Sequence, residues 1–173
     1  MRLFIAVRPG RQAKKALRAV QDEFRRRGVE GSYTSAENLH LTLAFIGDYP
    51  DPARVLDVLE TVAFEPVALK LDHIGAFGNL WWAGCAESEA LAALVRRVRR
   101  ALAEAGIPFD RKRFSAHFTL IRRAVCPRRC DLSDVAAPAA AMTVERISLM
   151  SSTRGKNGMI YTELGAVAAA DSE

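Results

Sequence analysis

The sequence predicts an α+β protein built as two pseudo-symmetric lobes of antiparallel or mixed sheet, with outer helices and a central cleft. Two observations carry this. A short pattern occurs twice, as His40-Leu41-Thr42-Leu43 and His117-Phe118-Thr119-Leu120, 77 residues apart and at matching places in the order of elements. Around it, short apolar or alternating segments joined by brief turns are interspersed with three stretches of helical periodicity. At 173 residues, 50% of them hydrophobic, the chain has room for one sizeable core. It reads as a single domain over 1–173 made of two interleaved lobes.

The elements follow in order. Leu3 to Val7 is a short apolar run ended by Pro9-Gly10, which predicts a buried strand. Ala13, Ala16, Leu17, Val20 and Phe24 recur at helical spacing, with Gly28 as the stop. The first motif strand is expected from about Asn38 to Ile46, ending at Gly47-Asp48. Val55, Leu56, Leu59 and Val62 mark a second helix. Strands are expected over Val67 to Leu71 and Leu80 to Gly84, with a turn from Gly75 to Asn79. A third helix carries Leu91, Leu94, Val95, Val98 and Leu102, with Ser88 as its cap and Gly106 at its end. The second motif strand spans about Ala116 to Arg123, and a connection containing Pro and Ala runs from Pro127 to about Ala140. Met142 to Met150 and Met159 to Leu164 read as a closing strand pair around the polar turn Thr153 to Gly158. Residues 168–173 are small and acidic, and composition predicts a frayed tail.

Net charge is +5, a mild basic excess compatible with an anionic substrate. Arginine-rich clusters at Arg111 to Arg113 and at Arg122-Arg123 flank the second motif; those at Arg25 to Arg27 and Arg96 to Arg100 read as solvated faces. Cys85, Cys126 and Cys130 cannot all pair within one chain and lack zinc-site spacing, which points to free thiols in a reducing compartment. The run after Arg2 is too short for a signal-peptide core, and no stretch is long enough to span a membrane. A soluble, cytoplasmic monomer is expected.

In a strand, alternate side chains share a face. His40 and Thr42 therefore point one way while Leu41 and Leu43 enter the core; His117 and Thr119 repeat the arrangement. Chance would produce two such patterns among three histidines on the order of once in 10⁵ chains of average composition, or about 10⁴ once strand preferences are allowed for. The third histidine, His73, lacks the pattern and reads as structural. Two histidines across a cleft make a complete acid–base pair near neutral pH. Two threonine hydroxyls can bond the non-bridging oxygens of a phosphoryl group held between them. No metal-ligand set accompanies the four residues, so the site reads as free of metal and of any other cofactor.

On these residues the chain resembles the 2H phosphoesterases, and within them the RNA 2′,3′-cyclic phosphodiesterases, also called 2′-5′ RNA ligases. Met1 to Ala6 is similar to the family's opening strand, Glu37 to Gly47 to its first signature and Phe114 to Arg122 to its second, where Pro is commoner than Ala116. Ser151 to Tyr161 is similar to its closing hairpin. The resemblance implies the bilobal fold and the hydrolysis of a 2′,3′-cyclic phosphate, on RNA ends or on nucleosides, to a 2′-phosphomonoester. It makes His40 the proton donor to the leaving 3′-oxygen and His117 the base for water, roles that the residues themselves leave open. It also makes Arg122 a phosphate ligand, whereas strict alternation would put Arg123 on the face of His117; a bulge or strand end after Thr119 reconciles the two. Phe45 occupies the corresponding place after His40, where it can stack on a base or fill the core.

The expected activity is therefore metal-independent cyclic phosphodiester hydrolysis, with weak ATP-independent 2′-5′ ligation as a corollary. Two other readings compete. One is a related enzyme for a small nucleotide such as ADP-ribose cyclic phosphate, separated from the first by whether basic residues continue the cleft beyond one nucleotide. The other is an RNA-binding module without turnover, which would not need a pair of imidazoles.

Overall fold

Every residue from Leu3 to Val7 is buried, so β1 (Arg2–Val7) has neighbours on both of its faces. In the computed structural model, which describes residues 1–127 and 132–171, the chain continues through α1 (Arg11–Arg26), β2 (Glu30–Tyr33), a 3₁₀ turn (Ala36–Asn38), β3 (Leu41–Asp48) and α2 (Pro52–Glu60). Next come β4 (Val67–Phe77), β5 (Leu80–Cys85), α3 (Glu89–Glu104) and β6 (His117–Val125), and then β7 (Ala140–Val144), β8 (Arg146–Gly155) and β9 (Gly158–Ala168).

All strand pairs are antiparallel, and the strands join into one sheet of order β7-β4-β5-β6-β3-β1-β8-β9, with β2 added beside β6. The order is symmetric about its middle. Outward from the centre, one half reads β3, β1, β8, β9 and the other β6, β5, β4, β7. Both central strands carry a motif.

The helices cover one face of the sheet. In α1 the buried residues Ala13, Leu17, Val20 and Phe24 form the apolar stripe expected from their spacing, and each larger one contributes about 1.5–3 kcal/mol by leaving water. Their stripe packs on β6 and β7, whereas α2 lies against α3 and β9. One polar side chain is buried in the same stripe: Gln21 donates to the carbonyls of Thr34 (2.8 Å) and Leu120 (2.9 Å), tying α1 to the second motif strand. Ser88 caps α3 by accepting from the Leu91 amide, as expected, and Asp51 caps α2 in the same way. On the opposite face of β1, Phe4 and Ala6 join Met150 in a second small cluster, against which Phe45 and Tyr161 pack.

The structure differs from the sequence expectations in several places, among them the turn expected over Thr153 to Gly158, which narrows to residues 156–157 because β8 and β9 stay paired to Gly155 and Gly158. The first motif strand starts at Leu41 because Ala36–Asn38 form a 3₁₀ turn. The expected turn at Gly75 is strand: β4 runs on to Phe77, and Gly75 is needed because a Cβ there would lie 2.4 Å from the Trp82 ring packed across it. The Met142–Met150 segment is two strands, with a break at Glu145 where the chain leaves β4 and begins to pair with β1. Finally, β2 gave no signal, since its Glu-Gly-Ser sequence is exposed and does not alternate.

Past β9, the amides of Ala169 and Ala170 bond the carbonyls of Glu145 and Phe64; residues 172–173 of the expected loose tail lie outside the described residues. Cys130 lies outside them too. Cys85 is a buried free thiol, pushed up to about 11 chiefly by burial.

Candidate active site

The two halves of the sheet meet at one ladder pair, Leu41 opposite Phe118, both fully buried. Carried one residue either way, this antiparallel register sets His40 across from Thr119 and Thr42 across from His117. Each histidine thus faces the threonine of the other motif. Past the seam β6 runs on beyond the start of β3, and β2 pairs along the edge left free, with Tyr33 opposite Ile121 and Ser32 opposite Arg122.

Both imidazoles are held alike. Nδ1 of His40 lies 2.7 Å from the carbonyl oxygen of Asn38, and Nδ1 of His117 lies 2.9 Å from that of Ser115. A carbonyl can only accept, so Nδ1 carries the hydrogen in each ring and Nε2 is left for a ligand. Phe4 and Tyr161 flank His40, with ring centroids 4.9 and 5.2 Å away. Phe77 and Trp82 flank His117 at 5.5 and 5.9 Å. Burial lowers the pKa of both histidines from the usual value; the carbonyl bonds oppose this, and the charge of Arg122 reinforces it at both rings. Protonated His117 further disfavours protonation of His40.

Arg122 reaches the histidine side because of an irregularity in β6. Trp82 pairs with Thr119 but Trp81 pairs with Ile121, so Leu120 is an extra residue. Leu120 and Ile121 are both buried, and alternation restarts at exposed Arg122. Gln21 and the Thr34 amide both donate to the Leu120 carbonyl and hold this bulge. Arg123 follows in the left-handed region at φ 54° and is the one non-glycine residue with positive φ among those described.

Of the residues singled out in the sequence, His40, Thr42, His117, Thr119 and Arg122 gather at the seam. Phe45 is half-buried, packed on the Phe4–Ala6–Met150 cluster, with the Arg2 guanidinium 5.3 Å from its ring centre. His73 belongs to neither motif but lies in the row of His117: it pairs with Gly84, which pairs with His117, and its ring is 5.5 Å from that of Trp82. Its Nδ1 is 2.6 Å from Asp72, and its ring crosses Gly84, where a Cβ would lie 2.3 Å from Nε2. Sequence reasoning missed the aromatic walls Phe4, Tyr161, Phe77 and Trp82, and also Gln21. For Trp82 the usable signal was Gly75, the glycine its ring packs across. No group of three or more His, Cys, Asp or Glu side chains able to hold a metal ion comes together among the described residues.

Comparison with known proteins agrees with this geometry. The sequence pattern of the 2′-5′ RNA ligase superfamily matches residues 9–156. The RNA 2′,3′-cyclic phosphodiesterase of Archaeoglobus fulgidus is 30% identical over 95% of this chain and 98% of its own. That of Thermotoga maritima is 27% identical over 95% and 93%. Among solved structures, a Thermus thermophilus protein superposes with a TM-score of 0.82 at 28% identity, covering 97% of both chains. Escherichia coli LigT complexed with 3′-AMP superposes with the same score at 22% identity, over 98% of both, which speaks to the fold. The paired motifs at the seam, the bilobal sheet and the full-length similarity converge: this chain belongs to the 2′-5′ RNA ligase superfamily.

Proposed function

We propose that this protein hydrolyses 2′,3′-cyclic phosphates at RNA ends, leaving a 2′-phosphomonoester, without a metal ion. The observation that carries the reading is the matched pair of imidazoles, each with Nδ1 held by a backbone carbonyl and Nε2 left for a ligand, and each under the charge of Arg122. In this reading Thr42, Thr119 and Arg122 hold the non-bridging oxygens, and Phe45 contributes to the floor beneath His40. Neutral His117 takes a proton from water as its oxygen attacks phosphorus. The P–O3′ bond breaks, and His40 gives its Nε2 proton to the departing oxygen. In the free enzyme burial, the charge of Arg122 and protonated His117 all disfavour protonation of His40. The anionic phosphate draws the proton there on binding, which ties the acid's readiness to the presence of substrate.

A 5′-hydroxyl RNA end in place of water gives the same displacement and a 2′-5′ linkage. Such ligation needs no ATP, because the strained ring already carries the activated phosphoryl group, and it is weak beside hydrolysis. No helix among the described residues is long and apolar enough to cross a membrane.

Incubation with a nucleoside 2′,3′-cyclic phosphate in excess EDTA tests the reading. Full activity and a 2′-phosphate product are expected; loss on chelation with recovery on adding a divalent ion, or a 3′-phosphate product, refutes it. The pH dependence is a second test. The rate requires one neutral and one protonated imidazole, and both pKa values are lowered in the free enzyme. The bell in kcat/KM should therefore peak below about pH 6.5, the ordinary histidine value. Arg122→Gln removes a cation that disfavours both imidazolium forms, so both limbs should move to higher pH while KM rises. A flat profile from about pH 5 to 8 would contradict a two-histidine mechanism.

A further inference from the structure

A cavity of about 540 Å³ opens beside the imidazoles toward the tip of the β8–β9 hairpin. It adjoins the site. Its lining includes Asn38, whose carbonyl holds His40, and Tyr161, whose ring meets that of His40 edge-on. Three guanidinium groups line it, from Arg122, Arg123 and Arg154, and no carboxylate does. Among the described residues neither Arg123 nor Arg154 has an ion-pair partner. Uncompensated cations in one concavity repel one another and raise the local potential for anions.

The backbone here is shaped at a cost. Ordinary alternation after Arg122 would send Arg123 to the other face of β6. Instead Arg123 adopts φ 54°, which disfavours a side chain of its size, and both arginines line the same cavity. Gly31 of β2 presses against the kink: a Cβ on it would lie 2.8 Å from the Arg122 carbonyl oxygen and 2.9 Å from that of Arg123. The kink coincides with an irregularity in the pairing of β2 with β6, between Glu30–Val125 and Ser32–Arg122.

We infer that Arg123 and Arg154 form a second anion subsite, which takes the phosphodiester of the nucleotide preceding the cyclic phosphate in an RNA strand. This rests on the function proposed above and narrows its substrate. A nucleoside 2′,3′-cyclic phosphate without a 5′-phosphate has no group to place there, whereas an oligonucleotide end does, so the enzyme favours strands over nucleosides.

The test compares kcat/KM for a trinucleotide ending in a 2′,3′-cyclic phosphate with that for the nucleoside 2′,3′-cyclic phosphate. The parent protein should prefer the trinucleotide by about tenfold or more, the scale of a charge-assisted contact. Arg154→Ala should cut that preference about tenfold, with a change of less than about twofold on the nucleoside. Arg123→Gly removes both the cation and the unfavourable conformation. It should lose the preference while unfolding at the same or a higher urea concentration than the parent. An unchanged preference, or equal losses on both substrates, overturns the inference.

Binding of a fluorescent trinucleotide bearing a terminal 2′-phosphate supplies a readout without turnover. Each arginine removed should lower the slope of log affinity against log salt by about 0.7. If the variants weaken inhibition by inorganic phosphate and leave the slope intact, the subsite holds a free anion and the strand assignment fails. A parent protein that turns over neither substrate refutes the function proposed above; the salt slope then still decides whether Arg123 and Arg154 engage a strand.

Discussion

His40→Ala and His117→Ala should each lower the turnover of a 2′,3′-cyclic phosphate by at least about 10², the usual scale of a positioned acid or base. The double variant should lose less than the product of the two single losses, because both groups act in one transition state. Stability should change little, since the rings are only partly buried and each makes one backbone bond. The residual pH profiles assign the roles. If His40 is the acid, its loss removes the fall in rate at high pH, and the loss of His117 removes the fall at low pH. The opposite outcome exchanges the two roles without touching the reaction. His73→Ala is the comparison, because its ring, over Gly84 and against Trp82, neighbours His117 without belonging to either motif. A folded His73 variant as damaged as the other two would show that the wrong histidines had been chosen.

Gly31→Ala should be the most damaging substitution outside the motifs. Gly31 has φ 153°, and the new Cβ would come within 3.0 Å of two carbonyl oxygens that belong to backbone. Neither oxygen can move without moving Arg122 and Arg123. Strain of this kind costs about 1–3 kcal/mol, readable as a lower urea midpoint with an unchanged slope. In activity, kcat/KM should fall about tenfold or more for nucleoside and strand substrates alike, because Arg122 serves both. Gly10→Ala is the comparison, as its Cβ would meet nothing within 4 Å. Equal behaviour of the two variants would mean that β2 does not position the arginines.

The motif residues were legible because their chemistry and their period-two spacing coincide. Two His-x-Thr copies fix both which faces are buried and which groups meet in the cleft. The helices were legible for a related reason: Leu17, Val20 and Phe24, or Leu91, Leu94, Val95 and Val98, form stripes that local spacing alone determines. The missing pieces depend on partners distant in sequence. β2 has no apolar rhythm and exists because β6 offers a free edge beyond the start of β3. Gly75 looks like a turn until Trp82 is seen lying across it. The bulge at Leu120 is invisible in the sequence, since a Leu-Ile pair reads equally well as unbroken alternation in a strand buried on both faces. That bulge decides between Arg122 and Arg123 as the neighbour of the imidazoles. Gln21 was hidden because a glutamine in a helix usually faces water.

The seam has a consequence of its own. Each half of the sheet has a continuous ladder, with six pairs between β1 and β3 and six between β4 and β5, yet between the central strands β3 and β6 the ladder narrows to the single pair Leu41–Phe118. The span from one imidazole to the other is therefore set largely by the side chains packed beneath the junction. Substitutions under the seam that keep every motif residue can retune which phosphoesters fit, so diversification of substrate range is open to the buried core as well as to the rim of the cleft.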